Sequence, residues 1–179
     1  MKIMGIDAAF ANIGLALGVM EDDVIVIKDL HLVHTEGLKR RPKGMTKSTD
    51  DLRRARECLS QVQQKIIEWQ PDIIVAEVPF GSQSARASWS LGITIGVLAG
   101  IGDFIEVTPR QVKTATGEPN ADKDMMIEWA MLKHPEAPWV MRKLKGNIVQ
   151  VASTNEHLAD AVGAIYAGIA LRKSSKPRV

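Results

Sequence analysis

A single cysteine in 179 residues, Cys58, excludes an internal disulfide framework and a cysteine-rich zinc site. It falls among the apolar positions of a helix-like pattern, which predicts a small core residue and not a reactive thiol. Long hydrophobic runs are also missing. The apolar stretch 91–101 is well short of the roughly 20 residues that a bilayer span needs. The first apolar stretch is broken by Asp7 and Asn12 and leads straight into structure, which is not the pattern of a signal peptide. Internal repeats and a domain linker are absent too. These absences predict an intracellular, cytoplasmic protein with no membrane segment, built as one domain over 1–173 with a basic, flexible tail at 174–179. A net charge of +2 is too small to define a partner, so the placement of charge carries the argument.

A hydrophobic fraction of 45% and a charged fraction of 25% suit a soluble globular domain with a sizeable core. Ile3 to Phe10, Ile13 to Met20, and Val24 to Ile27 with its continuation to Val33 read as a three-stranded meander with turns at Asn12 and Glu21-Asp22-Asp23. A helix is predicted from Ser48 or Thr49, with Leu52, Ala55, Leu59, Val62, Ile66 and Trp69 as its apolar stripe. Pro71 stops it. Asp72 to Glu77 reads as a strand buried on both faces.

Ser84 to Gly100 reads as a helix in which Gly92, Gly96 and Gly100 recur four apart, a spacing that lets another helix approach closely. A fifth strand is predicted at Phe104 to Val107, a short helix from Pro109, a helix over Asp122 to Leu132, and a loop from Pro135 to Gly146 carrying Trp139, Arg142, Lys143 and Lys145. Ser153-Thr154-Asn155-Glu156 matches a capping box, with Ser153 as N-cap and Glu156 reaching back, ahead of a final helix to about Leu171. The predicted class is α/β: a five-stranded mixed sheet, a meander plus two parallel strands, flanked by helices.

Two of these strands carry an acid after an apolar run, Asp7 after Ile3-Met4-Gly5-Ile6 and Glu77 after Ile73-Ile74-Val75-Ala76. An unpaired carboxylate at a buried strand end is costly, so packing does not explain it. His157 and Asp160, three apart on the last helix, project from nearly one face. Alone, each has an ordinary reading: a turn cap for Asp7, an arginine partner for Glu77, an edge histidine for His157. Together they form a ligand set. Hydrolysis of a phosphodiester by two cations roughly 4 Å apart needs several such ligands on rigid elements, and hard cations take carboxylate oxygens.

These residues resemble a known family. Met4-Gly5-Ile6-Asp7 with Gly14, Ala76-Glu77-Val78-Pro79-Phe80, Val107-Thr108-Pro109-Arg110-Gln111-Val112-Lys113, Ala121-Asp122-Lys123 and His157-Leu158-Ala159-Asp160-Ala161 look like the RuvC-type Holliday junction resolvases of the RNase H-like (retroviral integrase) superfamily. The resemblance spans the chain. It implies an RNase H-like fold and a homodimer, which cuts symmetric strands of a four-way DNA junction with Mg²⁺ or Mn²⁺. It assigns Asp7, Glu77, His157 and Asp160 as metal ligands of a two-metal site. Lys113 and Lys123 become basic residues near the scissile phosphate, and Phe80 an aromatic that stacks on unpaired bases. Position 157 is His where many relatives carry Asp, and imidazole is a usable ligand for Mn²⁺ as well as for Zn²⁺. After Asp7 the chain reads Ala8-Ala9-Phe10 where the family commonly has Pro-Gly.

Lys39, Arg40, Arg41, Lys43, Lys47, Arg53, Arg54 and Arg56 crowd one loop and the first turns of a helix, against only Asp50 and Asp51. Beside a nuclease site they predict a phosphate-tracking surface, with Arg40, Arg41, Lys43 and Lys47, together with Arg110, Lys113 and Lys123, as DNA contacts. The glycine-spaced helix 84–100 is the predicted dimer interface. Two further readings remain: a nuclease for branched DNA more generally, and a junction-binding protein on the same fold that does not cut.

Overall fold

A computed structural model describes residues 1–81 and 83–174 of the chain. The strands β1 (Lys2–Ala8), β2 (Asn12–Glu21) and β3 (Val24–His34) form the expected meander. Its second turn has Asp22 and Asp23 both at positive φ, the backbone sign of a tight two-residue hairpin. Helix α1 (Lys47–Trp69) then leads to β4 (Ile73–Glu77), α2 (Ala85–Ala99), β5 (Ile105–Val107), α3 (Pro109–Thr114) and α4 (Lys123–Lys133). A hairpin of β6 (Met141–Leu144) and β7 (Asn147–Gln150) precedes the long helix α5 (Ala152–Ser174).

The main sheet has the order β3-β2-β1-β4-β5. β1 pairs antiparallel with β2 and parallel with β4, and β4 pairs parallel with β5. β1 is central and buried on both faces, which is why its side chains are apolar without alternation. Ile3 and Val75 point to one face, packed with Val112, Met126, Leu158 and Ile165 of α3, α4 and α5. Met4, Ile6 and Ala76 point to the other, packed with Cys58, Val62, Trp69 and Val97 of α1 and α2. The result is three layers with two cores. No described helix is long and apolar enough to cross a membrane.

α5 lies hard against the sheet because two positions beneath it lack side chains. A Cβ on Gly5 would overlap the Ala161 carbonyl oxygen, and one on Gly14 would overlap the His157 carbonyl oxygen. Gly14 is the register partner of Asp7 on β2, so this close approach sets the height of His157 above the sheet.

Four expectations need correction. The predicted loop 135–146 contains β6, paired with β7 across a Lys145-Gly146 turn with both residues at positive φ; four-residue strands are too short to show a period. The capping box does not form. Thr154 and Asn155 N–H groups already donate to the Val151 carbonyl, so Ser153 is inside the helix and Glu156 is turned elsewhere. On α1 the buried face holds Asp50, Asp51, Arg54, Cys58, Val62 and Trp69, while Leu52 is half exposed, because an ion-pair network occupies the first turns. α5 continues past Leu171 to Ser174, with Lys173 paired to Asp23 at 2.9 Å. The rest of the predicted tail, 175–179, lies outside the described residues.

Candidate active site

Asp7 and Glu77 are direct partners in the parallel β1–β4 register. Alternation along their strands places them with Ile3, Gly5 and Val75 on the face that α5 covers. From α5, His157 and Asp160 come down over this pair. His157 Nδ1 hydrogen-bonds Asp7 Oδ2 at 2.7 Å, and the His157 Nε2 lies 3.6 Å from Glu156 Oε1. The second oxygen of Glu156 pairs with Lys123 Nζ at 2.8 Å. A polar chain therefore runs Asp7–His157–Glu156–Lys123. Its side-chain exposure rises from 12% at Asp7 through 16% and 21% to 75% at Lys123, so it leads from the sheet to solvent.

The site is crowded with negative charge. Burial, then the nearby Asp7 and Asp160 carboxylates, push Glu77 up to about 8, against a smaller opposing pull from Lys113. Burial, then Asp7, push Asp160 up to about 7, with His157 and Lys113 opposing. His157 is raised above its ordinary value, chiefly by its hydrogen bond to Asp7 and against the effect of burial. Lys123 is raised by its hydrogen bond to Glu156. Lys113 lies in the last turn of α3, whose start is fixed by a formed Thr108–Gln111 capping box and by Pro109 in the first turn.

Phe80, three residues past Glu77, is 75% exposed. Arg110 is exposed on α3, Arg40, Arg41 and Lys43 are exposed in the segment after β3, and Lys47 is exposed at the start of α1. β3 ends at His34, paired with Asn12, so this segment leaves the sheet at the same end as Asp7. Two members of the predicted basic surface are structural instead. Arg54 is buried, lies 3.5 Å from Asp51 Oδ1, donates to the Thr35 carbonyl at 3.0 Å and covers the Phe10 ring. Arg53 pairs with Asp50 and Glu57, both at 2.9 Å. Asp50 also accepts the Leu38 N–H, which anchors the loop.

No family model matches the chain. It is 30% identical over 175 residues to a crossover junction endodeoxyribonuclease RuvC of Rickettsia conorii, covering 93% of this chain and 95% of the relative. The chain belongs to the RuvC family. The RuvC of Rickettsia felis is 29% identical over 175 residues, covering 93% and 96%. A RuvC of T. thermophilus, solved in complex with a Holliday junction substrate, matches with a TM-score of 0.70 at 18% identity, covering 99% of both chains. The fold is therefore the RNase H-like fold of RuvC.

RuvC-type nucleases are metal-dependent, and the donors here suit a hard divalent cation. Glu77 and Asp160 are held above the usual carboxylate range first by burial and then by the neighbouring carboxylates, and a bound cation would offset both. The donors are gathered without being closed on one point. Among the described residues no three acids, histidines or cysteines surround a single ion position, and Asp7 and His157 bond each other.

Glu156 is the residue that sequence reasoning missed. The apparent capping box accounted for it, although its position next to His157 was visible.

Proposed function

We propose that this chain resolves four-way DNA junctions by paired symmetric nicks, with Asp7, Glu77, His157 and Asp160 as the ligands of a two-metal Mg²⁺ or Mn²⁺ site. The observation that carries this reading is the lateral pairing of Asp7 with Glu77 under His157 and Asp160, in a chain of the RuvC family. A bound cation pair supplies Lewis-acid assistance at the phosphate and at the leaving oxygen.

The protein side chains do the rest. Lys113, whose charge already acts on Glu77 and Asp160, stabilises negative charge developing on the phosphate. Lys123 sits at the solvent end of the polar chain and contacts the backbone of the cut strand. Phe80 offers an exposed ring for stacking on an unpaired base, a contact worth about 1–3 kcal/mol. Arg40, Arg41, Lys43, Lys47 and Arg110 hold phosphates without reading sequence.

Symmetric cutting calls for two copies of the site, and we place the dimer contact on α2. Gly92 and Gly96 face open space, and Trp89 and Ile95 are half exposed. Between α1 and α2 lies an apolar groove of about 390 Å³, lined by Leu52, Ala55, Leu59, Trp89, Ile93 and Gly96. Among the described residues nothing fills it. The reading places the protein with its DNA in the cytoplasm.

The test is incubation of wild type and Asp160→Asn with a synthetic four-way junction in Mg²⁺, Mn²⁺ or EDTA. Wild type cuts with metal only, and the variant binds without cutting. Wild-type binding with no cutting in either metal favours a junction-binding protein, and equal cutting of forks and flaps a broader branched-DNA nuclease.

A further inference from the structure

The β6–β7 hairpin stands apart from both cores. It forms a two-stranded sheet of its own, and all of β6 and the first half of β7 are exposed, with Ile148 at 74%. An isolated two-stranded ribbon is at best marginally stable in water, so its persistence has to be explained by how it is held.

The hold is at its base. Asn155 on α5 is completely buried. Its Oδ1 accepts the Val140 N–H at 3.0 Å, and its Nδ2 donates to the Val140 carbonyl at 3.0 Å and to Gln150 Oε1 at 3.2 Å. The Val151 N–H donates to the same Val140 carbonyl. Trp139, buried just before β6, donates its ring N–H to the His134 carbonyl. A buried amide is tolerated only when its hydrogen bonds are made, and this one makes them to both strands' bases, at Val140 just before β6 and at Gln150 ending β7. It lies two residues before His157. The direction of the hairpin is thus fixed to the helix that carries His157 and Asp160.

Its charge is of one sign. Arg142 and Lys143 lie on β6 and Lys145 at the turn, while the sequence from 137 to 155 contains no acid. Among the described residues no carboxylate pairs with any of the three cations. Arg142 faces Val149 across the ribbon and Lys143 faces Ile148, so successive cations point to opposite faces. A flat protein interface would engage one face. An arm lying along a polyanion meets charge from both faces and the tip.

We propose that the β6–β7 hairpin is a DNA-gripping arm, which holds the phosphate backbone of a duplex arm beside the scissile strand through Arg142, Lys143 and Lys145. That the duplex belongs to a junction rests on the resolvase reading; the contact with phosphates does not.

The test compares wild type with Arg142→Gln/Lys143→Gln/Lys145→Gln by fluorescence anisotropy, on a four-way junction and a matched linear duplex in a salt series with EDTA. The substituted side chains are exposed, so thermal unfolding stays as in wild type. Each lost phosphate contact lowers the log–log salt slope by about 0.9, so the expected decrease is about 2–3. An unchanged slope and affinity on both DNAs overturns the arm, and the hairpin then serves a different partner. Wild type binding junction and duplex equally refutes the resolvase reading and leaves the slope comparison standing.

A second measurement is independent of affinity. Cys58 is buried, so Ile148→Cys carries the one accessible thiol for a photoactivatable azide. The labelled protein crosslinks to junction DNA. Absence of a crosslink, with binding intact, contradicts the proposal.

Discussion

Asp7 and Glu77 stand side by side in the parallel register of β1 and β4, on the face that α5 covers. Two acids in that position repel each other and lose water together, and Lys113 opposes the resulting rise of Glu77 only in part. Most of what is expected of the site follows from that imbalance.

The metal-free protein should lose stability as pH rises. Glu77 is raised from 4.5 to about 8 and Asp160 from 3.8 to about 7. The folded state therefore holds protons that the unfolded chain gives up, and stability from this source is full below the ordinary carboxylate range and is lost as pH climbs through the folded-state values. In EDTA, the Tm of wild type should fall relative to Glu77→Gln between mildly acid and mildly alkaline pH. Mg²⁺ or Mn²⁺ should raise the wild-type Tm most at the alkaline end. A pH-independent difference between the two proteins would count against the charged cluster.

Gly14→Ala should damage site and fold together. Its Cβ would overlap the His157 carbonyl, and overpacking of this kind costs about 1–3 kcal/mol. Urea unfolding should show the loss, and junction cleavage should fall more than tenfold because His157 is displaced. Gly92→Ala, which meets open space, should leave monomer stability equal or improved.

The dimer contact has its own test. Gly92→Leu with Gly96→Leu should leave the protomer folded and shift sedimentation from dimer to monomer, with paired nicking reduced to single nicks. A wild-type monomer at all concentrations would remove α2 as an interface.

Glu156 should act through Lys123 and His157 and not as a metal ligand. Glu156→Gln should slow cleavage about tenfold with junction affinity unchanged, and Lys123→Gln should slow it as much, with binding weakened only by its one phosphate contact. The double variant should be no slower than either, since coupled residues are not additive. Glu156→Asp should restore part of the rate. A merely structural role would lower Tm without this pattern.

Much of this was legible in the chain. Asp7 and Glu77 were visible because acids at the ends of apolar strands are rare and expensive, and His157 with Asp160 because helical spacing sets them on one face. The pairing that brings them together is tertiary; a parallel pairing of the two strands allowed it, and the family resemblance specified it. Glu156 was hidden by a local pattern that competes for the same residue, the Ser153 capping box. Arg53 and Arg54 looked like a DNA surface because nothing local shows that Asp50, Asp51 and the Thr35 carbonyl claim them. The β6–β7 hairpin escaped because its order comes from Asn155, outside the strands themselves.

The most direct test is to map cleavage on a four-way junction with all four strands end-labelled, in Mg²⁺ and in Mn²⁺, for wild type and Asp7→Asn. The account predicts nicks by wild type at symmetric positions on one pair of opposed strands, none on a linear duplex of the same sequence, and none by the variant. Cutting by Asp7→Asn at the wild-type rate, or duplex cut as fast as junction, would contradict it.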